Sequence, residues 1–421
     1  MRARSSRLVA VVAALVVALG LGLSGASVAS AIEPITAPAF IVIQPDTGDV
    51  VAERNPSGER PIASTTKMMT ALLAIEHAKP SDTMRVANYA ISPGESTAGL
   101  QAGEKMRVAD LLRALMLPSA NEAAVTLAIG VAGSQARFVR MMNQRARQLG
   151  LRHTHYGNPI GLDVGDNHSS ARDLVELAQV MRRNPFLRDT MNLRKATLKS
   201  GPVGRVVVNR NSLVQEIGWV DGVKTGHTSK AGYVLVASGT RKGVPVISAV
   251  LGTASEQLRN QDSLTLLRYA ASRYHDAVVT RKGRRMARVP LAYRDQHVAL
   301  VASRTVRRVI KKGEKTQIRL VGVPKELDGP LLKGSRQGTI VVRYRGRTID
   351  RVALVTAEPV AAATVVQKVD STFPGGIAAL GILLAVLVGG TLLLVGDRRR
   401  RRRRDARRSR ARPSRQETGV A

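Results

Sequence analysis

The longest apolar segments of the chain lie near its two ends. Residues 8–23 carry no charged side chain and follow three arginines, Arg2, Arg4 and Arg7. A basic start, an apolar stretch of this length and the small residues Ala29-Ser30-Ala31 are typical of a secretory signal peptide. We therefore predict that residues 1–31 direct export, with an uncleaved anchor helix as the alternative.

The second apolar segment, residues 375–395, also lacks charge and has the roughly 20 residues that span a bilayer. Asp397 and a run of arginines follow, twelve of them between Arg398 and Arg415. Because basic flanks stay in the cytoplasm, this pattern predicts a single transmembrane helix over residues 375–396, a cytoplasmic tail over 397–421 and an extracellular body. A buried core helix is the alternative.

Between these ends, the apolar pattern predicts a domain that mixes helices and strands. Residues 39–43 and 50–54 read as a hairpin, and residues 64–75 as a helix that is apolar nearly all round and therefore central and buried. The other predicted elements are helices at 107–117, 121–129, 134–149, 171–181 and 257–274, strands at 218–223, 233–238 and 244–251, and a loop at 150–170. Helices bracketed by antiparallel strands indicate the α+β class over residues 32–277.

After about residue 280, short strand-like segments replace helices. They lie at residues 297–302, 306–310, 316–320, 339–344 and 348–356. We predict a small β-rich domain over residues 278–360 and a linker over 361–374 that leads to the membrane helix.

Composition narrows the class of protein. The chain has no cysteine, which excludes a disulfide scaffold, a cysteine nucleophile and cysteine-ligated zinc. Its formal charge of +34 invites a nucleic-acid-binding hypothesis. The arginine run, however, directly follows the apolar segment, and the basic body suits acidic wall polymers or anionic lipid equally well. We therefore expect a membrane and no nucleic acid among its partners.

Ser64-Thr65-Thr66-Lys67 is the first candidate motif, an S-x-x-K at the start of the predicted apolar helix. Residues three apart share one helix face, so the hydroxyl of Ser64 and the amine of Lys67 can touch. A serine needs a neighbouring base to become a nucleophile, and burial lowers the pKa of a lysine toward that role. The motif alone is common and would have no function in most chains.

Two further short motifs follow. Ser119 and Asn121 form an S-x-N just after Pro118. The hydroxyl of Ser119 could relay a proton, and the amide of Asn121 could bind a carbonyl or orient Lys67. Capping of the following helix is the simpler role. Lys224-Thr225-Gly226 is predicted to end the strand 218–223, where a cation and a hydroxyl suit a carboxylate and a glycine admits a close backbone. An edge strand there could pair with an extended peptide.

Taken together, the order S-x-x-K, S-x-N, K-T-G resembles the penicillin-recognising serine enzymes. Over roughly residues 35–275 the sequence is similar to the low-molecular-weight D-alanyl-D-alanine carboxypeptidases, and the similarity continues more weakly into the β-rich region. The segments that carry it are PIASTTKMMTALLA, LMLPSANEAA, GLDVGDNHSS and GWVDGVKTGHTSKAGY. The resemblance implies a penicillin-binding, β-lactamase-like transpeptidase fold and a serine carboxypeptidase that removes D-alanine from peptidoglycan stem peptides and is acylated by β-lactams.

The resemblance also implies residue roles. Ser64 would be the nucleophile, Lys67 its base and Ser119 a proton relay. Substrate would be bound by Asn121, Lys224, Thr225, Gly226, His227 and Arg259. The backbone N–H groups of Ser64 and His227 would form the oxyanion hole, and the match around Arg259 is the weakest.

No metal or organic cofactor is expected. His153, His155 and His168 fall in the predicted loop, but their irregular spacing favours ordinary polar residues over a zinc site. The rival enzyme is a class A β-lactamase, disfavoured because the loop lacks a glutamate to activate water. A DD-endopeptidase or transpeptidase and a wall-binding module with a vestigial site remain alternatives.

Overall fold

The computed structural model describes residues 32–410, so the predicted signal peptide lies outside the described residues. These residues form two compact units. The first comprises residues 32–276 and 309–313, and the second comprises residues 277–308 and 314–410.

The elements of the first unit alternate between strands and helices. Its strands are β1 (Ala39–Gln44), β2 (Asp49–Arg54), β3 (Arg60–Pro61), β4 (Thr83–Arg85), β5 (Lys105–Arg107), β6 (His168–Ser169), β7 (Lys195–Leu198), β8 (Arg205–Val208), β9 (Val220–Thr228), β10 (Gly232–Arg241) and β11 (Val244–Thr253). Its helices are α1 (Lys67–His77), α2 (Val108–Met116), α3 (Asn121–Ala132), α4 (Gln135–Gln148), α5 (Ala171–Arg183), α6 (Pro185–Met191), α7 (Ser212–Glu216) and α8 (Glu256–Ser272), with a 3₁₀ turn at Ala63–Thr66. The hairpin β7–β8 and helix α6 were not predicted.

A five-stranded antiparallel sheet, in the order β2-β1-β11-β10-β9, forms the centre of this unit. Strand β1 is buried along its whole length. Its side chains alternate between two apolar cores, with Ile41 and Ile43 in one and Phe40 and Val42 in the other. Because both faces are covered, nearly every position of this strand must be apolar, which explains the continuous run in the sequence.

Helices cover both faces of the sheet. Helix α1 is buried from Lys67 to Ala74 and lies in the larger core, as its uniformly apolar pattern predicted. Helix α8 packs on the other face through Leu266, Leu267 and Ala270. The predicted α+β class is confirmed.

Strand β9 departs from the prediction at its end. The sequence placed Lys224-Thr225-Gly226 after the strand, but β9 continues to Thr228 and pairs with β10 through His227 opposite Tyr233 and Thr228 opposite Gly232. Ladder pairing with β10 thus carries the strand past the glycine. Strand β9 lies at the edge of the sheet, which is the position that pairing with an extended peptide requires.

The second unit is built on another five-stranded antiparallel sheet, in the order β13-β14-β18-β17-β16. Its strands are β13 (Arg285–Pro290), β14 (His297–Ala302), β16 (Gln317–Val321), β17 (Arg336–Tyr344) and β18 (Arg347–Thr356). Strands β12 (Tyr274–Thr280) and β15 (Val306–Lys311) each contain residues of both units. Strands β12 and β13 were not predicted. Leu300, Ile340, Val342 and Leu354 are fully buried in its core.

Two helices follow this sheet, α9 (Val365–Thr372) and α10 (Gly376–Arg410). Helix α10 is long and apolar enough to cross a membrane, with a mean hydropathy of 2.6 over its apolar window and none of that window buried. Unburied leucines and valines in such number are costly in water, which supports a membrane environment for this helix.

Candidate active site

Ser64 lies on a tight turn at the entrance to helix α1. The turn Ala63–Thr66 is a 3₁₀ helix, and Ala63 has a positive φ of 47°. The carbonyl of Ile62 accepts hydrogen bonds from both the backbone and the hydroxyl of Thr65. This turn leaves Ser64 partly exposed while its neighbours Ala63 and Thr65 are buried.

Lys67 is the first residue of α1 and is fully buried. Its Nζ donates to Ser64 Oγ at 3.0 Å and to the carbonyl oxygen of Ile160 at 2.7 Å. Burial, reinforced by the ammonium of Lys224, holds the pKa of Lys67 well below its usual value. The contact predicted from the S-x-x-K spacing is present, with an amine whose environment favours the neutral form.

The loop 150–170 supplies the carbonyl that anchors Lys67. Thr70 Oγ1 donates to the carbonyl of Pro159 at 2.7 Å, and the side chain of Asn158 accepts from the backbone of Gly161 at 2.7 Å. Gly161 has a φ of +93°, and a Cβ there would lie 2.0 Å from the carbonyl oxygen of Ala63. Only glycine therefore allows the loop to press against the Ser64 turn.

Ser119 does not cap a helix, so the simpler role considered for it is wrong. The N-cap of α3 is Ala120, while Ser119 has a φ of 70° and is 2% exposed. Its Oγ has no hydrogen-bond partner among the described residues. A buried hydroxyl without a partner costs stability, and such groups concentrate at functional sites.

Asn121 contacts a carboxylate that sequence reasoning missed. Its Nδ2 donates to Glu95 Oε2 at 2.8 Å, and Tyr89 OH donates to the same oxygen at 2.6 Å. Burial acts to raise the pKa of Glu95, but these hydrogen bonds outweigh it and leave that pKa lowered. Glu95 thus stays ionised and fixes the Asn121 amide. No motif marks Glu95 in the sequence.

Lys224 is 1% exposed and donates to the carbonyl of Thr225 at 3.1 Å. Burial, aided by Arg210 and Arg259, lowers its pKa to about 7. Gly226 lies against the Ser64 turn, since a Cβ there would be 2.9 Å from the Ile62 carbonyl oxygen and 3.1 Å from the Ser64 nitrogen. The third motif therefore contacts the first through backbone.

Arg259 is 3% exposed on helix α8, and its guanidinium donates to Glu256 at 2.5 Å and to Asn260 at 2.9 Å. Burial lowers the pKa of this guanidinium, and Glu256 opposes that effect. The ring of Tyr233 lies beneath it at 6.0 Å and stacks on His227, with ring centroids 4.0 Å apart. Helix α8 and strands β9 and β10 thus meet at one wall of the site.

A polar cavity of about 450 Å³ opens between these elements. Its lining residues are Ser64, Gly94, Ser96, Ser119, Arg210, Thr225, Gly226, His227, Tyr233, Glu256 and Arg259. Three predicted residues do not line it: Lys67 contacts Ser64, Asn121 adjoins Ser119, and Lys224 adjoins Thr225. Two guanidinium groups in the lining favour an anionic ligand group. Arg210 was not predicted, because nothing distinguishes it from the many other arginines.

Three glutamates, Glu122, Glu176 and Glu216, lie between Ser119 and Lys224 in the sequence, but none of them is in the loop 150–170. Glu122 is buried, and its Oε1 accepts from Thr97 Oγ1 and the backbone of Ala98, both at 2.7 Å. It therefore holds the chain at residues 97–98. Glu176 is exposed on α5, and Glu216 is exposed at the end of α7.

Comparison with known proteins identifies the family. Residues 26–255 match the family described as D-alanyl-D-alanine carboxypeptidase, and residues 274–362 match the penicillin-binding protein 5 C-terminal domain. The chain belongs to the D-alanyl-D-alanine carboxypeptidase family. It is thus a serine-type carboxypeptidase of the low-molecular-weight penicillin-binding class, as the three motifs predicted.

Individual relatives agree with this family. The D-alanyl-D-alanine carboxypeptidase DacA of Escherichia coli is 33% identical over 342 residues, covering 77% of this chain and 84% of the relative. DacF of Bacillus subtilis is 30% identical over 321 residues, covering 73% and 82%. The structure of penicillin binding protein 5 from Haemophilus influenzae is 30% identical with a TM-score of 0.56, covering 78% and 98%. The DD-transpeptidase of Streptomyces K15 is 29% identical with a TM-score of 0.55, covering 57% and 99%.

Proposed function

We propose that Ser64 is the acylated nucleophile of this carboxypeptidase and that Lys67 is its base. The carrying observation is the 3.0 Å contact between Lys67 Nζ and Ser64 Oγ, made by a fully buried amine. The substrate is a peptidoglycan stem peptide that ends in D-alanyl-D-alanine.

Acylation begins when Ser64 Oγ attacks the carbonyl carbon between the two D-alanines and its proton passes to Lys67 Nζ. The backbone N–H groups of Ser64 and His227 stabilise the resulting oxyanion. A donor of this kind is typically worth about 3–4 kcal/mol in the transition state. The C–N bond then breaks. The leaving amine takes a proton relayed through Ser119 Oγ, which has no hydrogen-bond partner within residues 32–410 and is therefore available for this step.

The terminal carboxylate of the substrate is bound at the basic wall of the cavity. Thr225 and Arg259 line this wall and are candidate partners, and Arg210 in the same lining adds positive charge. Lys224, next to Thr225 but outside the lining and 1% exposed, is the third candidate. The edge of strand β9 is available for pairing with an extended peptide. The missing side chain of Gly226, which was expected to admit the substrate backbone, instead makes room for the Ser64 turn. Asn121, held by Glu95, presents its amide to a peptide carbonyl. Water then hydrolyses the acyl-enzyme, whereas a β-lactam acylates Ser64 and leaves slowly.

Helix α10 anchors the protein in the cell membrane in a single pass. The catalytic unit then lies outside the cell, and the arginine-rich end of α10 lies on the cytoplasmic side. This orientation follows from the position of the basic residues after the apolar window.

The test is intact mass spectrometry of the detergent-solubilised chain after brief exposure to benzylpenicillin. One penicilloyl adduct is expected on the wild type and none on Ser64→Ala. Release of D-alanine from a pentapeptide should be lost in the same variant. An adduct on Ser64→Ala would refute the assignment.

Transpeptidation is a second candidate, favoured by the structural similarity to the DD-transpeptidase of Streptomyces K15. In that reaction an amine, rather than water, attacks the acyl-enzyme. Adding a glycine or D-amino acid acceptor to the pentapeptide assay separates the two reactions, because only transpeptidation yields an exchanged peptide.

A further inference from the structure

A second cluster of reactive side chains lies at the base of the loop between residues 155 and 168. His155 and His168 face each other across this base, joined by two backbone hydrogen bonds of 3.0 and 3.1 Å. Their rings stack with centroids 5.8 Å apart. Asp166 lies beside both rings, with Oδ1 3.0 Å from His168 Nδ1 and Oδ2 3.9 Å from His155 Nδ1.

These three side chains offer the donor set of a metal site. One ligand atom from each of His155, Asp166 and His168 lies within 4.8 Å of the other two. Two imidazole nitrogens and one carboxylate oxygen suit Zn²⁺ and related first-row divalent ions, which often keep an open position for water beside three protein ligands. The carboxylate is largely exposed and the His155 ring half-exposed, so the side chains can close around an ion and solvent can reach it.

A neighbouring carboxylate completes the arrangement. Glu59 Oε2 lies 3.7 Å from His168 Nε2, the ring nitrogen on the side away from Asp166. Metal-ligating histidines usually direct their second ring nitrogen to a carboxylate, which fixes the tautomer and strengthens the ligand. The other oxygen of Glu59 lies 3.5 Å from His153 Nδ1.

We propose that His155, Asp166 and His168 bind one divalent transition-metal ion of the Zn²⁺ type, with Glu59 orienting His168. The irregular spacing of these residues argued against a metal from sequence alone. The backbone pairing of residues 155 and 168 removes that objection, because it brings the two histidines side by side.

The ion would close the loop that reaches the catalytic centre. Within this loop, Ile160 accepts the hydrogen bond from Lys67, and Asp163 accepts one from Thr228 of β9 at 2.7 Å. A metal ion bound at the base would thus hold the loop against Lys67 and against strand β9. Binding is independent of the proposed acylation, so a Ser64→Ala chain binds the ion equally well.

The experiment measures Zn²⁺ binding by the full-length chain in detergent, purified without a histidine tag and treated with a chelator. Isothermal titration should give one Zn²⁺ per chain. His168→Gln should weaken binding by at least about 100-fold, and Glu59→Gln by about 10- to 100-fold. Co²⁺ should produce visible absorption bands in the wild type that are lost in Asp166→Asn.

His297→Gln is the matched control, since His297 is exposed on β14 in the second unit. It should bind Zn²⁺ as the wild type does. Zn²⁺ should also slow amide hydrogen exchange across residues 156–167, a readout that does not use the variants. Equal binding by the wild type and a His155→Gln/His168→Gln chain with native circular dichroism would overturn the proposal, as would an equal loss of binding in His297→Gln.

Discussion

Gly226→Ala should separate catalytic geometry from folding at the active site. The added Cβ would lie 2.9 Å from the Ile62 carbonyl oxygen, 3.1 Å from Ala63 Cβ and 3.1 Å from the Ser64 nitrogen. These atoms belong to the turn that carries the nucleophile and cannot rotate away as the end of a side chain can. The turn or strand β9 must therefore move by about 0.5 Å to restore ordinary contacts.

The expected magnitude follows from that displacement. Misplacing reacting groups by about 1 Å can cost about 100-fold in rate, so a shift of half that size should slow acylation of Ser64 by roughly 10-fold or more. That is about 1.4 kcal/mol or more in the activation barrier. The free energy of unfolding should change by less than this activation barrier, because Gly226 lies on an edge strand.

The assay is the second-order rate constant for acylation by benzylpenicillin, followed by intact mass, together with thermal unfolding. Gly218→Ala is the control, since a Cβ at that position would meet no atom of the described part of the chain within 4 Å. Wild-type acylation by a folded Gly226→Ala chain would refute the close contact between the first and third motifs.

Three further predictions concern charge and packing. The kcat/KM for a D-alanyl-D-alanine peptide should fall at acid pH, because Lys67 gains a proton and can no longer act as the base. It should also fall above about pH 7, because Lys224 loses the charge that attracts the substrate carboxylate. If the fall at alkaline pH were unchanged in Lys224→Arg, the assignment to Lys224 would be wrong. Asp262→Ala should destabilise the first unit by about 1–3 kcal/mol in denaturant unfolding, because Asp262 accepts from Thr36 and from the backbone of Ala37, and its removal leaves the buried N–H of Ala37 unpaired. Leu115→Ala should cost about 2–5 kcal/mol in the same measurement, since Leu115 is fully buried in the larger core, and an unchanged unfolding midpoint would argue against that packing.

Several parts of the site could not be predicted from sequence. Glu95, Tyr89 and Arg210 reach the site from loops, and no periodicity or motif distinguishes them from surface residues. Asn121 was expected to bind substrate or orient Lys67, yet within the protein its amide contacts Glu95. The metal hypothesis shows the same limit, because backbone pairing across a loop brings together residues that the sequence separates.

The sequence by itself determined the class of fold, the buried helix α1, the family and the long apolar helix α10. Those features depend on local periodicity, on the 64–67 spacing within one turn and on an uninterrupted apolar run, all of which are short-range properties of the chain. Tertiary structure alone decided where β9 ends, why Gly161 and Gly226 must be glycines, and which carboxylate holds Asn121. These depend on atoms from segments distant in sequence, because close packing and the pairing of buried polar groups are settled only when those segments meet.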